Sequence, residues 1–309
     1  MFGSGVLPAR VLAYVTNQGE NTVSVIDTRT DTEILRISVG TEPTGLALTP
    51  NQRRLYVANS GDGTISVIDT LTNTEILPRI DIFSAGLNVS PDGRRLYVAN
   101  SGEDIVSVID VATNTPVGQP ISVGVRPTSI LISPDGTRAY VANSGDNTVS
   151  VLNLTTNSVI ASIPVGNTPA AATINPRLPR VYVTNVQSNN LSVINTNTNT
   201  EIFPRIPVGT NPIVAIFTSN GARAYVTNSQ NNNLSVINTA TNSEILPRIP
   251  VGVRPFTLAF TPDGTRAYVT NQGENTLSIV DTVRNVELPR RIPVGNFPFS
   301  ILIARVPLR

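Results

Sequence analysis

Histidine, cysteine and tryptophan are absent from the 309 residues, and so is lysine, so all 22 basic side chains are arginine. Each absence removes chemistry. Without cysteine or histidine there is no disulfide, no structural zinc site, no haem imidazole ligand, no Ser-His-Asp triad and no Cys-His dyad. The lack of cysteine fits an oxidising or a reducing compartment equally well. The 22 arginines face 21 acidic residues for a net charge of +1. That balance argues against a dedicated duplex-DNA binder, which needs a clear basic excess. No run of 18 apolar residues occurs, so no membrane-spanning helix is expected. The opening Met-Phe-Gly-Ser-Gly-Val-Leu-Pro has no basic segment followed by a long apolar run and does not read as a signal peptide.

What is present is repetition. A Tyr-Val-(Thr/Ala)-Asn tetrad begins at Tyr14, Tyr56, Tyr97, Tyr140, Tyr182, Tyr225 and Tyr268, and these are all seven tyrosines of the chain. The spacing is 41 to 43 residues, a period that marks a solenoid, propeller or array. A second signature follows each tetrad, such as Ser24-Val25-Ile26-Asp27 and Ser66-Val67-Ile68-Asp69. A third, Val-Gly-x-x-Pro, occurs six times, at Gly40, Gly124, Gly166, Gly209, Gly252 and Gly295. Where a seventh copy is due the chain reads Ile82-Phe83-Ser84-Ala85.

Each repeat reads as four short strands. In the second, Gly45–Leu48 leads to the turn at Pro50, then Leu55–Asn59, the hairpin Ser60-Gly61-Asp62-Gly63, Thr64–Asp69, the turn Thr70–Asn73 and Glu75–Ile80. The first turn is Pro-Asp-Gly in other copies, at Pro91, Pro134 and Pro262. Proline presets φ and glycine accepts positive φ, so this is turn chemistry. No window sustains a 3.6-residue period, so no long helix is expected. Four strands in about 42 residues, seven times over, predict an all-β seven-bladed β-propeller in one domain spanning 1–309. Too few residues precede Tyr14 for an inner strand, whereas Phe299–Ile303 lacks a following tetrad. The C-terminal segment is therefore expected to supply the inner strand of the N-terminal blade, which removes two free sheet edges.

Three motifs in fixed order across nearly the whole chain resemble the YVTN family of β-propeller repeat proteins, relatives of surface-layer and lactonase-like propellers. The resemblance implies a seven-bladed propeller, often secreted or displayed on a prokaryotic cell surface. It implies no single activity, because this architecture hosts many.

The repeated residues have structural readings. A buried tyrosine removes roughly 150–250 Å² from water, worth about 4–6 kcal/mol as an upper bound, which accounts for the invariance without a ligand. Arg54, Arg95, Arg138, Arg180, Arg223 and Arg266 each precede a tetrad tyrosine by two residues. They are expected to pair across the hairpin with Asp69, Asp110, Asn153, Asn195, Asn238 and Asp281; a ring of arginines suited to an anionic polymer is the alternative. On the opposite face the hairpins carry Glu20, Asp62, Glu103, Asp104, Asp146 and Glu274 and should form an acidic surface. None matches the spacing of an EF-hand, so no metal site and no cofactor is assigned.

A candidate site lies where the repeat varies. The variable residues of the Val-Gly-x-x-Pro loops and the residue after each proline are expected at the channel mouth. They include Glu42, Arg126, Arg254, Phe256, Phe297 and Phe299, with Phe83 in the degenerate copy. Aromatics beside two arginines suit an anionic ligand, or they plug the channel. The leading expectation is a non-enzymatic binding or scaffold module, extracellular, periplasmic or on the cell surface, monomeric, with an unknown protein or a small anionic ligand as partner. One alternative is a lactonase-like hydrolase with acid–base work falling to Glu42 and Arg126. The other is a single-stranded nucleic-acid binder using Arg126, Arg254 and the phenylalanines.

Overall fold

The computed structural model describes residues 9–307, so the leader reading of residues 1–8 lies outside the described residues. Within that range the chain forms seven antiparallel sheets and no helix. It is a seven-bladed β-propeller. Blade 2 is the regular unit, running from the channel outward as Pro43–Leu48, Arg54–Asn59, Thr64–Asp69 and Thr74–Asp81. The inner strands of blades 3 to 7 are Gly86–Val89, Pro127–Ile132, Pro169–Ile174, Pro212–Phe217 and Pro255–Phe260. In blades 3 and 7 the outer strand is broken into two short pieces, Thr115–Pro116 with Ile121–Ser122 and Val286–Glu287 with Ile292–Pro293.

Blade 1 closes the ring. Ala9–Asn17, Thr22–Asp27 and Thr32–Ser38 are completed on the inside by Pro298–Pro307 from the far end of the chain. The register pairs Ala9 with Pro307, Ala13 with Ile303 and Val15 with Ile301. Each inner strand contacts the inner strand of both neighbouring blades around the full circle. Neither end of the sheet system is left as an exposed edge at this seam.

The core consists of apolar seams between blades. Tyr56, Ala58, Ile65 and Val67 of blade 2 pack on Leu96, Val98 and Ile109 of blade 3. Alternate residues of the same strands, Leu55 and Val57, face back to Tyr14, Val23 and Val25 of blade 1. Alternation along a strand thus feeds two different seams, which is why these strands are apolar on both faces. Six of the seven tyrosines are essentially inaccessible, and Tyr97 is 5% exposed.

Burial raises the pKa of all seven tyrosines above the usual phenol value, and nearby Asp69 adds to the shift at Tyr14 and Asp31 at Tyr268. The stability they confer is complete below the unfolded phenol pKa of about 10 and is lost as pH rises above it. Lysine, cysteine and histidine are absent, so tyrosine alone carries the alkaline limb. Urea midpoints are expected to be flat through neutrality and to fall steeply above pH 10. Tyrosinate absorbance at 295 nm should appear together with unfolding; tyrosinate appearing while the fold persists would contradict this. Deleting residues 298–309 should abolish cooperative melting by circular dichroism, because it strips Ile301, Ala304 and Val306 from two seams.

Candidate functional site

The three sequence motifs meet at one end of each blade that carries all three, which is every blade but the third. The tetrad asparagine donates from Nδ2 to the hydroxyls of the following strand: Asn59 to Thr64 at 3.0 Å and Ser66 at 2.9 Å. The same contacts recur at Asn17, Asn143 and Asn271. The Val-Gly glycine lies flat on this asparagine; a Cβ at Gly40 would sit 2.5 Å from Asn59 Cγ. That close approach requires glycine.

The loops of this face are held by left-handed backbone. The second variable residue of each Val-Gly-x-x-Pro loop has positive φ, at Glu42, Arg126, Thr168, Asn211, Arg254 and Phe297. Its backbone N–H donates to a side chain on the preceding blade, itself in a positive-φ hairpin position. Glu42 donates to Asn21 (3.0 Å), Arg126 to Asp104 (2.7 Å), Thr168 to Asn147 (2.8 Å), Asn211 to Asn189 (2.9 Å), Arg254 to Asn232 (2.9 Å) and Phe297 to Asn275 (2.9 Å). The exception explains itself. Blade 2 has Gly63 where the others have Asn or Asp, and the loop it would hold is the degenerate Ile82–Ala85.

The left-handed residues are exposed or half-exposed on this face, and Phe297 is 43% exposed. Arg254, Phe256, Phe297 and Phe299 come together across the blade 7–blade 1 junction. The Phe256 and Phe299 rings are 4.2 Å apart at 47°, and the Arg254 guanidinium lies 5.9 Å from the centre of the Phe297 ring, within cation–π range. Glu42 stands on blade 2 and Arg126 on blade 4, and among the described residues the backbone N–H of each bonds the preceding blade while neither side chain makes a hydrogen bond or ion pair with this cluster or with the other. Thr44, expected to line the mouth, is buried instead. Among the described residues no group of three or more His, Cys, Asp or Glu side chains could hold a metal.

The arginines before the tetrads correct the cross-strand expectation. The backbone register is as expected, with Arg54 opposite Asp69 and Arg266 opposite Asp281. The side chains, however, reach into the next blade. Arg54 donates to the Val111 carbonyl, Arg138 to the Thr196 carbonyl (2.6 Å) and Arg180 to the Thr239 carbonyl (2.8 Å). Arg266 bonds both Asp31 oxygens at 3.0 Å and the Thr28 carbonyl. Only Arg95 takes its cross-strand acid, Asp110. A guanidinium long enough to span the seam finds turn carbonyls there to accept its N–H groups.

Two further seam contacts were hidden in the repeat. Tyrosine hydroxyls donate to the positive-φ residue of the next blade's outer turn: Tyr14 to Asn73 (2.7 Å), Tyr56 to Asn114 (3.1 Å), Tyr182 to Asn242, Tyr225 to Asn285 and Tyr268 to Asp31. The signal was an Asn or Asp always 17 residues after each tyrosine, as Asp31 follows Tyr14. Where the tetrad has threonine, its hydroxyl bonds the next inner strand, as Thr16 to the Thr44 carbonyl and Thr227 to the Phe256 carbonyl, both at 2.8 Å.

A family model, the choice-of-anchor I domain, matches residues 9–175. The chain belongs to the choice-of-anchor I family. A search of curated proteins returns no match. Among solved structures this choice-of-anchor I propeller is similar to the periplasmic gluconolactonase of Pseudomonas aeruginosa, with 21% identity and a TM-score of 0.79 over 97% of this chain and 99% of that one. Hydrazine synthase of Kuenenia stuttgartiensis matches with 20% identity and a TM-score of 0.78 over 91% and 99%. A functionally unknown protein from Desulfotomaculum acetoxidans matches with 15% identity and a TM-score of 0.82 over 95% and 98%. At these identities the likeness is one of fold.

The seam bonds can be weighed. Tyr14→Phe should cost about 1 kcal/mol by urea unfolding, since it takes the donor from the Asn73 oxygen. Tyr97→Phe, whose hydroxyl has no bond among the described residues, should change the midpoint little. Equal losses in the two variants would show that the hydroxyl bond is not what the seam uses.

Proposed function

We propose that this chain is a non-enzymatic binding propeller that works outside the cytoplasm. Its channel mouth takes an anionic ligand with an apolar or aromatic body. The observation that carries this reading is strain at the mouth. The left-handed position of each loop suits asparagine, which blade 6 uses at Asn211. Yet Glu42, Arg126, Arg254 and Phe297 occupy the same conformation, at a cost on the order of 1 kcal/mol each. A purely structural ring would be better served by asparagine or glycine. Large charged and aromatic side chains held there are supported as ligand contacts: Arg254 for the anion, and Phe297 with the Phe256–Phe299 pair for the apolar body.

The lactonase-like alternative draws on the gluconolactonase fold. It asks Glu42 and Arg126 to act together from blades 2 and 4, and the separation of those blades speaks against it. The extracytoplasmic part of the reading is supported by the periplasmic protein that shares the fold.

The anionic fluorophore anilinonaphthalene sulfonate serves as a probe. The native protein should bind it, and Arg254→Asn and Phe297→Asn should each weaken binding at least tenfold. The same variants should melt about 2 °C higher, since they relieve left-handed strain. Unchanged probe affinity in both would refute the mouth as the site. Hydrolysis of glucono-δ-lactone above background that Glu42→Gln abolishes would establish the hydrolase alternative.

A further inference from the structure

The opposite face, which carries the Pro-Asp-Gly turns, has clefts between its blades that the mouth does not use. Among the four described, two are the richest in arginine. The cleft between blades 2 and 3, of about 760 Å³, is lined by Arg53, Arg54, Arg94 and Arg95 against Asp92 and Asp110. The cleft between blades 7 and 1, of about 780 Å³, is lined by Arg10, Arg29, Arg266 and Arg305 against Asp27 and Asp263. Each holds four arginines and two aspartates. By contrast, the cleft between blades 3 and 4 sets Arg95 against Asp92 and Asp135.

The excess is not absorbed internally. Arg54 and Arg266 are spent on the seams, and Arg10 and Arg95 on Asp27 and Asp110. The aspartates are spent as well. Asp92 accepts from Ser90 Oγ (2.6 Å) and the Arg94 N–H (3.0 Å), and Asp110 from the N–H groups of Ala112 (2.9 Å) and Thr113 (3.1 Å). That leaves the guanidinium groups of Arg29, Arg53, Arg94 and Arg305, all exposed, without a hydrogen-bond or ion-pair partner among the described residues.

These four break the repeat. Only repeats 2 and 3 double the arginine before the tetrad; Thr137, Pro179, Ala222 and Thr265 stand at the matching position of repeats 4 to 7. A seam needs one arginine, so the second is unexplained by the fold. The two clefts also belong to one tract, because the inner strand of blade 1 and the first turn of blade 2 join where the Arg305 N–H meets the Gln52 side chain.

From this we infer that the tract across blades 7, 1, 2 and 3 binds an anionic glycan, its sulfate or carboxylate groups held by Arg29, Arg305, Arg53 and Arg94. Guanidinium groups bind such oxyanions bidentately, and a row of them on one face suits a chain with repeated charge rather than a single ion. The absence of aromatics selects the polymer. Neither cleft lining contains a Phe or Tyr, and single-stranded nucleic acid depends on aromatic platforms for its bases. Thr28, Thr49 and Asn51, also in the linings, present polar groups suited to sugar hydroxyls.

Fluorescence anisotropy with a labelled heparin dodecasaccharide, a labelled oligogalacturonate and a labelled twenty-residue oligothymidylate tests this on the full chain. At least one glycan should bind at 50 mM salt, at least tenfold more weakly at 200 mM, and more tightly than the oligothymidylate; which glycan binds distinguishes sulfate from carboxylate. Arg53→Glu with Arg94→Glu should weaken glycan binding at least tenfold. Arg177→Glu with Arg284→Glu makes the same charge change elsewhere on this face and should alter it less than threefold. Should the reversed pair fail to melt cooperatively, Arg53→Gln with Arg94→Gln replaces it. Binding of anilinonaphthalene sulfonate at the mouth should be unchanged, which separates this inference from the preceding one. No glycan binding at 50 mM salt, equal loss in both reversed pairs, or tighter binding of the oligothymidylate would overturn it.

Discussion

A blade of this protein is a four-stranded sheet that is apolar on both sides, so it cannot be stable alone. Its Tyr and Val-Ile residues need a neighbour on each face, and the ring closes only if every seam closes. The seams are more than apolar. Along each one, polar groups of one blade complete turns of the next: a tyrosine hydroxyl on a left-handed Asn, an arginine on a turn carbonyl, and a threonine on an inner-strand carbonyl. These bonds are buried or half-buried, where an unpaired group costs more than a paired one contributes. They make the angle between blades specific, whereas apolar burial alone would tolerate sliding.

The same constraint shapes the mouth. Because each Val-Gly-x-x-Pro loop is fixed by an asparagine or aspartate from the preceding blade, its left-handed residue presents a side chain in one set direction regardless of its type. The scaffold is invariant and the side chain is free to vary. Glu42, Arg126, Arg254 and Phe297 exploit this freedom, and at the blade 2–blade 3 junction, where Gly63 of blade 2 replaces the holding residue, the loop leading into blade 3 lacks the Val-Gly-x-x-Pro form, so the two features go together.

Charge is organised by face as well. The hairpin acids of the mouth face do not form the acidic surface expected there, because outer-strand arginines match them in three blades: Arg36 bonds Glu20 at 2.7 Å, Arg291 bonds Glu274 at 2.6 Å and Arg79 lies 3.7 Å from Asp62. Asp62 and Asp146 lie by the mouth, where backbone N–H groups hold them, and Thr41 donates to Asp62 at 3.0 Å. The arginines preceding the tetrads gather at the other face. A propeller puts all like turns of all blades at one end, so a sequence bias repeated in each unit becomes a field over a whole surface. The two faces can therefore serve different partners.

Period, motif order and turn chemistry were enough to read the seven blades, the strand count and the closure by Phe299–Ile303, because each follows from local sequence repeated many times. The exposed candidates Glu42, Arg126, Arg254 and Phe297 were legible as departures from the repeat, and so was the proximity of Phe256 to Phe299 in successive repeats. The destination of the pre-tetrad arginines was not. Register places Arg54 opposite Asp69, but the length of the side chain and the availability of a carbonyl across the seam send it to Val111. Which partner a long polar side chain takes depends on what the neighbouring blade leaves unsatisfied, and only the packed ring determines that.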